Sequence, residues 1–267
     1  MPISLDEIVA HTRLRVAERK RESDLRELEA RAAEHQPRGF RAALERGAQG
    51  DIAIIAELKM ASPSKGILRM PLHVSRIACD YQDNGAAALS VLTEEKYFQG
   101  SLANLCEASA ATTLPCLRKD FIVDEFQIVE ARANRADAIL LIAAMLSDAE
   151  LLKLWRHARE WKLDVLCEVH TPEELQRAAG TGCDIIGVNS RNLRTFDVDL
   201  RTAEALAERM PAGVLSVAES GIHTPGDIDR LLRAGYQAFL IGESLMRAES
   251  PGAALAALLQ GSAVRGR

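Results

Sequence analysis

Apolar positions follow two different rhythms along this chain. Up to about residue 48 they are sparse and set among charges, as in LDEIVAHTRLRVAERKRESDLRELEARAAEH. Leu14, Leu25 and Leu28 with neighbouring alanines give a thin stripe, and Glu/Arg pairs four apart support one long helix. Pro37-Arg38-Gly39 breaks it, and Phe40 to Arg46 reads as a second, short helix. Past Gly50, short runs apolar on both faces alternate with helical patterns: DIAIIAELK, AALSVLT, PCLRKD, AILLIAA, DVLCEVH, DIIGVNS, GVLSVAES and AFLIGES. Their ends fall near Lys59, Thr93, Lys119, Ala144, Glu168, Asn189, Glu219 and Gly242, about 26 residues apart on average.

Strands apolar on both faces, each followed by a helix, are parallel and covered by helices. Eight such units predict a (β/α)8 TIM barrel rather than an open sheet, and no G-x-G-x-x-G follows the first strand. The expected organisation is a helical extension over residues 1–48 packed on a barrel over 49–267, without a linker between them. A barrel keeps its site at the C-terminal rim of its strands, so polar residues there carry the information. Side chains alternate along a strand. Ile55, Glu57 and Lys59 therefore share the inner face, with Ala56 and Leu58 outside. The same alternation turns Lys119, Glu168, Asn189 and Arg191 inward. Two lysines, two glutamates, an asparagine and an arginine around one mouth suit proton transfer on an anionic substrate. Neighbouring lysines are expected to depress each other's pKa. His170, just beyond Glu168, reads as a cap for the helix opening at Thr171-Pro172-Glu173.

Glycines after the last two strands, in AESGIHTPGD and LIGESLM, fit a phosphate held by backbone N–H groups. Strict alternation cannot turn both Glu219 and Ser220 inward, so a bulge or strand end is expected between them.

Composition narrows the partners. The 267 residues are 48% hydrophobic, which excludes a disordered chain, and the net charge of −5 gives no global basic footprint for nucleic acid. Aromatics make up only 4%, too few for a base-stacking platform. Cys79, Cys106, Cys116, Cys167 and Cys183 form no C-x-x-C pair and read as reduced thiols. The start, MPISLDEIVA, lacks the basic and apolar regions of a signal peptide, and Ala138 to Leu146 is too short to span a membrane. A cytoplasmic protein, monomeric or weakly self-associating, with no nucleic-acid or membrane partner, is expected.

The stretches IIAELKMASPSKG, SVLTEEKYFQGS, LPCLRKDFI, LCEVH, IIGVNSRNL, SVAESGI and FLIGESLM, in this order, resemble the indole-3-glycerol phosphate synthases. That family closes the indole ring of 1-(2-carboxyphenylamino)-1-deoxyribulose 5-phosphate, releasing CO2 and water, and uses no cofactor or metal. The resemblance makes Lys119 the general acid at the ribulose carbonyl oxygen and Glu168 the base. Lys59 pairs with the substrate carboxylate and serves the later dehydration, with Glu57, held by Asn189, orienting the groups. Arg191 contacts the anionic substrate, and Ser62 and Ser220 hydrogen-bond it. Phosphate falls to Ser62, Gly221, Gly242 and the N–H of Glu243, whose carboxylate must turn away. Phe98 and Phe121 wall the anthranilate ring. From the residues alone, a strand-end lysine could also form a Schiff base as in aldolases, and a barrel that binds a phosphate ligand without catalysis stays open.

Overall fold

β-branched and aliphatic runs form strands here because helices cover their outer faces while the inner faces meet one another. The computed structural model describes residues 4–50, 52–192 and 195–262. Residues 1–3, Asp51 at the head of the first apolar run and Leu193 of the SRNL stretch lie outside the described residues. The strands are β1 (Ala53–Leu58), β2 (Ala61–Ser62), β3 (Gly66–Ile67), β4 (Ala88–Leu92), β5 (Cys116–Lys119), β6 (Ala138–Ile142), β7 (Asp164–Val169), β8 (Ile185–Asn189), β9 (Leu215–Glu219) and β10 (Ala238–Ile241). β2 and β3 make an antiparallel hairpin in the loop after β1. The other eight are parallel and close into a barrel in the order β1-β10-β9-β8-β7-β6-β5-β4. This is the expected (β/α)8 barrel, its strand ends within two residues of their expected places.

The alternation along β1 holds in space. Ile55 packs inside the barrel with Leu117, Leu140, Leu166, Ile185, Leu215 and Leu240. Ala56 and Leu58 face the helical layer with Ile77, Leu89 and Val91.

The N-terminal region differs from its expected form. It is two helices, α1 (Leu5–Glu22) and α2 (Leu25–Glu34), separated by an extended Ser23 and restarted by Asp24, whose carboxylate accepts the N–H groups of Arg26 and Glu27. The break resets the helical phase and moves the buried seam. Ile8, Thr12 and Val16, spaced by four, face the barrel in α1, and Leu28 and Ala32 do so in α2. Leu14 and Leu25, assigned to the stripe, are exposed at 67% and 49%.

A third helix, α3 (Phe40–Gln49), opens at Gly39, whose φ of 74° suits glycine, and runs past the expected Arg46. It plugs the barrel at the end opposite the site. Phe40 and Leu44 are fully buried in the inner core, and the Arg41 N–H donates to Asp164 at the start of β7. The preceding turn is pinned by Arg38, whose guanidinium and N–H both donate to buried Asp137. With its floor sealed in this way, the barrel leaves its C-terminal mouth for the site.

Candidate active site

Four strand ends deliver the charged groups. Glu57 and Lys59, two apart at the end of β1, meet at 2.6 Å from Lys59 Nζ to Glu57 Oε1. Lys119 at the end of β5 reaches across the mouth, 3.0 Å from Glu168 of β7 and 3.6 Å from Glu219 of β9. All five line one cavity with Ser62, Phe98, Phe121, Asn189, Arg191, Ser220, Gly221, Gly242 and Glu243. Every residue assigned to the site from sequence lies in that cavity.

Burial and charge set the protonation pattern. Around Glu168, burial works against its charge, but Lys119 and His170 outweigh it and push its pKa down to about 2. For Lys119 burial also opposes charge, yet Glu168, Glu219 and Glu57 hold it well above the usual ammonium range. The expectation that the lysines depress one another therefore fails for Lys119: the field it feels comes from carboxylates. Glu219 goes the other way. Burial pushes it up to about 8, Lys119 opposing and Glu168 reinforcing. At neutral pH, then, Glu219 is the protonated member of a carboxyl pair and Glu168 the ionised one, the division of roles that an acid–base site needs.

This division predicts a pH effect with a definite sign. Below about pH 8 Glu219 is neutral; above it, a second carboxylate faces Glu168 and any incoming anion. We expect kcat/KM to fall as pH rises through that value, and E219Q to lose this limb. Parallel profiles from neutral to alkaline pH check it, and an identical alkaline limb in both proteins would rule Glu219 out as its source.

Glu219 and Ser220 both line the cavity because β9 ends at Glu219. Ser220 and Gly221 then take positive φ values of 66° and 80°, so the chain turns out of alternation where the sequence required it. Two glycines make room for carboxylates. A Cβ on Gly242 would collide with Glu57, and one on Gly187 with Glu219. Gly187, two residues before Asn189 on the same face of β8, is thus a space-giving position.

Asn189 requires a correction. Its amide hydrogen-bonds Glu168 and its Oδ1 accepts the Arg191 N–H at 3.0 Å, whereas Glu57 is met by Lys59 and the Ser90 hydroxyl. β8 lies beside β7 and is three strands round from β1 in the barrel by way of β9 and β10, so Glu168 is its near neighbour. His170 is also misread, since the cap is Thr171, whose hydroxyl accepts the Glu174 N–H. The imidazole instead lies between Glu168 and Glu174. The Glu243 carboxylate does turn aside, to Arg191 and Arg247, both at 3.3 Å.

On the apolar side, the rings of Phe98 and Phe121 stand 6.1 Å apart and tilted by 44°. Leu5 and Ile8 of α1 complete this wall. Sequence reasoning missed them, because nothing in an amphipathic stripe says which end of a barrel the helix crosses. Near the glycine rim the Ser62 hydroxyl is buried without a hydrogen-bond partner among the described residues. Such a group needs a partner, and a bound anion supplies one.

Fold and site together define a (β/α)8 barrel with two lysines and three carboxyl groups gathered at its C-terminal rim. Comparison with known proteins takes this to a family. The family model for indole-3-glycerol phosphate synthase matches residues 5–258. The indole-3-glycerol phosphate synthase of Koribacter versatilis is 56% identical over 97% of this chain and 100% of its own length. That of Burkholderia vietnamiensis is 48% identical over 94% and 97%. The chain belongs to the indole-3-glycerol phosphate synthase family, carboxy-lyases of tryptophan biosynthesis. Among solved structures, a 3-hexulose-6-phosphate synthase shares the fold at a TM-score of 0.64 and 14% identity, over 79% of this chain and all of that one. A thiamine phosphate pyrophosphorylase from Pyrococcus furiosus does so at 0.59 and 17%, over 80% and 96%.

Proposed function

We propose that this chain converts 1-(2-carboxyphenylamino)-1-deoxyribulose 5-phosphate to indole-3-glycerol phosphate, CO2 and water, and that the residues at the barrel mouth divide the work as follows. Lys119 protonates the ribulose carbonyl oxygen as the carboxylate-bearing ring carbon attacks the carbonyl carbon. Loss of CO2 restores the aromatic ring and leaves a hydroxyl on the new five-membered ring. Lys59 gives the proton with which that hydroxyl departs, and Glu168 takes the proton lost from the adjacent carbon. Glu57 orients Lys59 and the substrate hydroxyls, and Asn189 orients Glu168.

The single observation that carries this assignment is the Lys119–Glu168 pair, an ammonium and a carboxylate 3.0 Å apart in one buried mouth. An acid and a base so placed serve both halves of the reaction. Phe98 and Phe121 offer the anthranilate ring an apolar slot, Arg191 and Lys59 meet its carboxylate, and Ser220 hydrogen-bonds the substrate. Ser62, Gly221, Gly242 and the N–H of Glu243 take the phosphate, which gives the Ser62 hydroxyl the partner it lacks among the described residues. The chain acts on this small anion in the cytoplasm as a monomer or weak homo-oligomer, with no metal, cofactor or nucleic acid.

A steady-state assay of the purified chain with this substrate, followed by indole fluorescence in EDTA, tests the reading. Turnover is expected. Binding without turnover would leave only a phosphate-ligand barrel.

A further inference from the structure

The proposed reaction, on which this inference rests, does not balance within the site. Two protons go to oxygen, one forming the hydroxyl and one releasing it as water. Only one returns, from carbon. The substrate carboxylate leaves as neutral CO2, so each turnover draws one proton from solvent. The groups that handle these protons are sequestered: the Glu168 side chain is 2% exposed and the Lys119 side chain 15%, before a substrate covers either.

A path inward exists beside them. His170 directly follows β7, with Nε2 buried, lacking a hydrogen-bond partner among the described residues, and 3.6 Å from Glu168 Oε1. Its Nδ1 lies 3.3 Å from Glu174 Oε2, on the helix Pro172–Thr181. Glu174 is fixed there by the His170 N–H at 2.7 Å, and its side chain is 15% exposed. On the inner side, Glu168 Oε2 is the oxygen that meets Lys119. The order from solvent to the acid is therefore Glu174, His170, Glu168, Lys119, with each contact on a different atom of its residue.

We propose that His170 and Glu174 conduct the proton that each turnover takes from solvent to Glu168 and Lys119. Glu174 takes a proton from water and passes it to His170 Nδ1. The imidazole gives up its Nε2 proton to ionised Glu168 at Oε1, and as the carboxyl group turns that proton passes to Lys119 Nζ, vacated when Lys119 protonated the carbonyl oxygen. Glu168, ionised again, then takes the proton lost from carbon, and this proton recharges Lys59 once product leaves the mouth. No covalent bond outside these N–H and O–H groups changes. His170 touches no reacting atom in this scheme. It is a positioning residue acting through Glu168, and imidazole suits the task because it donates at one nitrogen while accepting at the other.

The test compares the parent chain with H170A, H170N and E174Q by steady-state kinetics in H2O and D2O, with and without added imidazole. H170A is expected to lose about tenfold in kcat, less than removal of the acid itself costs, with KM within about twofold. Imidazole should restore much of that loss in H170A and change nothing in the parent, and the solvent isotope effect on kcat should grow in both His170 variants. E174Q keeps the ring in place and should lower kcat in the same direction, so that a folding defect cannot imitate the effect. An active parent with unchanged kcat in H170A and E174Q, or a loss that imidazole leaves untouched and that carries no larger isotope effect, overturns the relay alone. An inactive parent overturns the reaction on which it rests as well.

Discussion

Replacing Lys119 by alanine is expected to lower kcat at least ~100-fold, about 2.7 kcal/mol of transition-state stabilisation, while KM moves much less. The asymmetry follows from where the charge develops. In the ground state the ribulose carbonyl is neutral, and an ammonium beside it contributes little binding. As the ring carbon attacks, the oxygen becomes an alkoxide, and only then does a donor held in place matter fully. Lys119 is held by Glu168 at 3.0 Å and Glu219 at 3.6 Å, which keep it charged against burial. Those partners also make it a reluctant acid in the empty site. A developing alkoxide supplies the stronger base that draws the proton off.

K119A removes the counter-charge as well, so Glu168 should lose its depressed pKa. A pH profile of the residual activity should then show an ionisation raised from about 2 towards the ordinary carboxylate range or above it. K119R keeps the charge, but a guanidinium does not give up its proton in this range, and it should recover little. Steady-state kinetics beside a thermal melt separate these effects, and an unchanged kcat in K119A would take Lys119 out of the chemistry.

Much of this site was legible because a parallel barrel converts sequence parity into geometry. Glu57 and Lys59 had to share a face of β1, and the departure of Ser220 from alternation had to be a bulge or a strand end. What was not legible depends on distances across the barrel. Parity places Asn189 inward but does not say that Glu168, on the adjacent strand, is nearer than Glu57. Lys119 looked like one of two lysines, whereas its field comes from three carboxylates on β1, β7 and β9. Glu219 had no assigned role, and its burial was the missing fact. The N-terminal helices erred for a different reason. Asp24 is a good cap, but a charged stretch offers many cap-like residues, and a phase reset by one of them reassigns every buried position. That the first turn of α1 reaches the mouth through Leu5 and Ile8 is a tertiary fact without local signature.

The hold on α1 leads to the largest expected effect on stability. Arg118 faces outward from β5 and is fully buried. Its guanidinium donates to Asp120, Thr93 and the Gln127 carbonyl, and pairs with Glu130 at 2.8 Å. Glu130 in turn meets Arg19 of α1 at 3.4 Å. R118A would leave Asp120 and Glu130, each under 8% exposed, without the cation between them. Breaking one side of a buried ion network costs about 3–5 kcal/mol, because the remaining charges stay desolvated. In a domain of this size that lowers Tm by roughly 6–20 °C. The partial compensations are visible: Asp120 keeps the Thr93 hydroxyl and the Phe121 N–H, and Glu130 keeps Arg19. If unpaired charge is the cause, R118M/E130Q should be more stable than R118M by a clear margin, since the second change removes a stranded carboxylate. In R118M/E130Q, where Arg19 loses its carboxylate partner, α1 should also exchange its amide hydrogens faster than in the parent. That would connect the network to function, for Ile8 on the same helix walls the mouth. Denaturant melts of the three variants and the parent, with hydrogen exchange on α1, check the argument. An R118A chain as stable as its parent would mean that the buried network contributes nothing net.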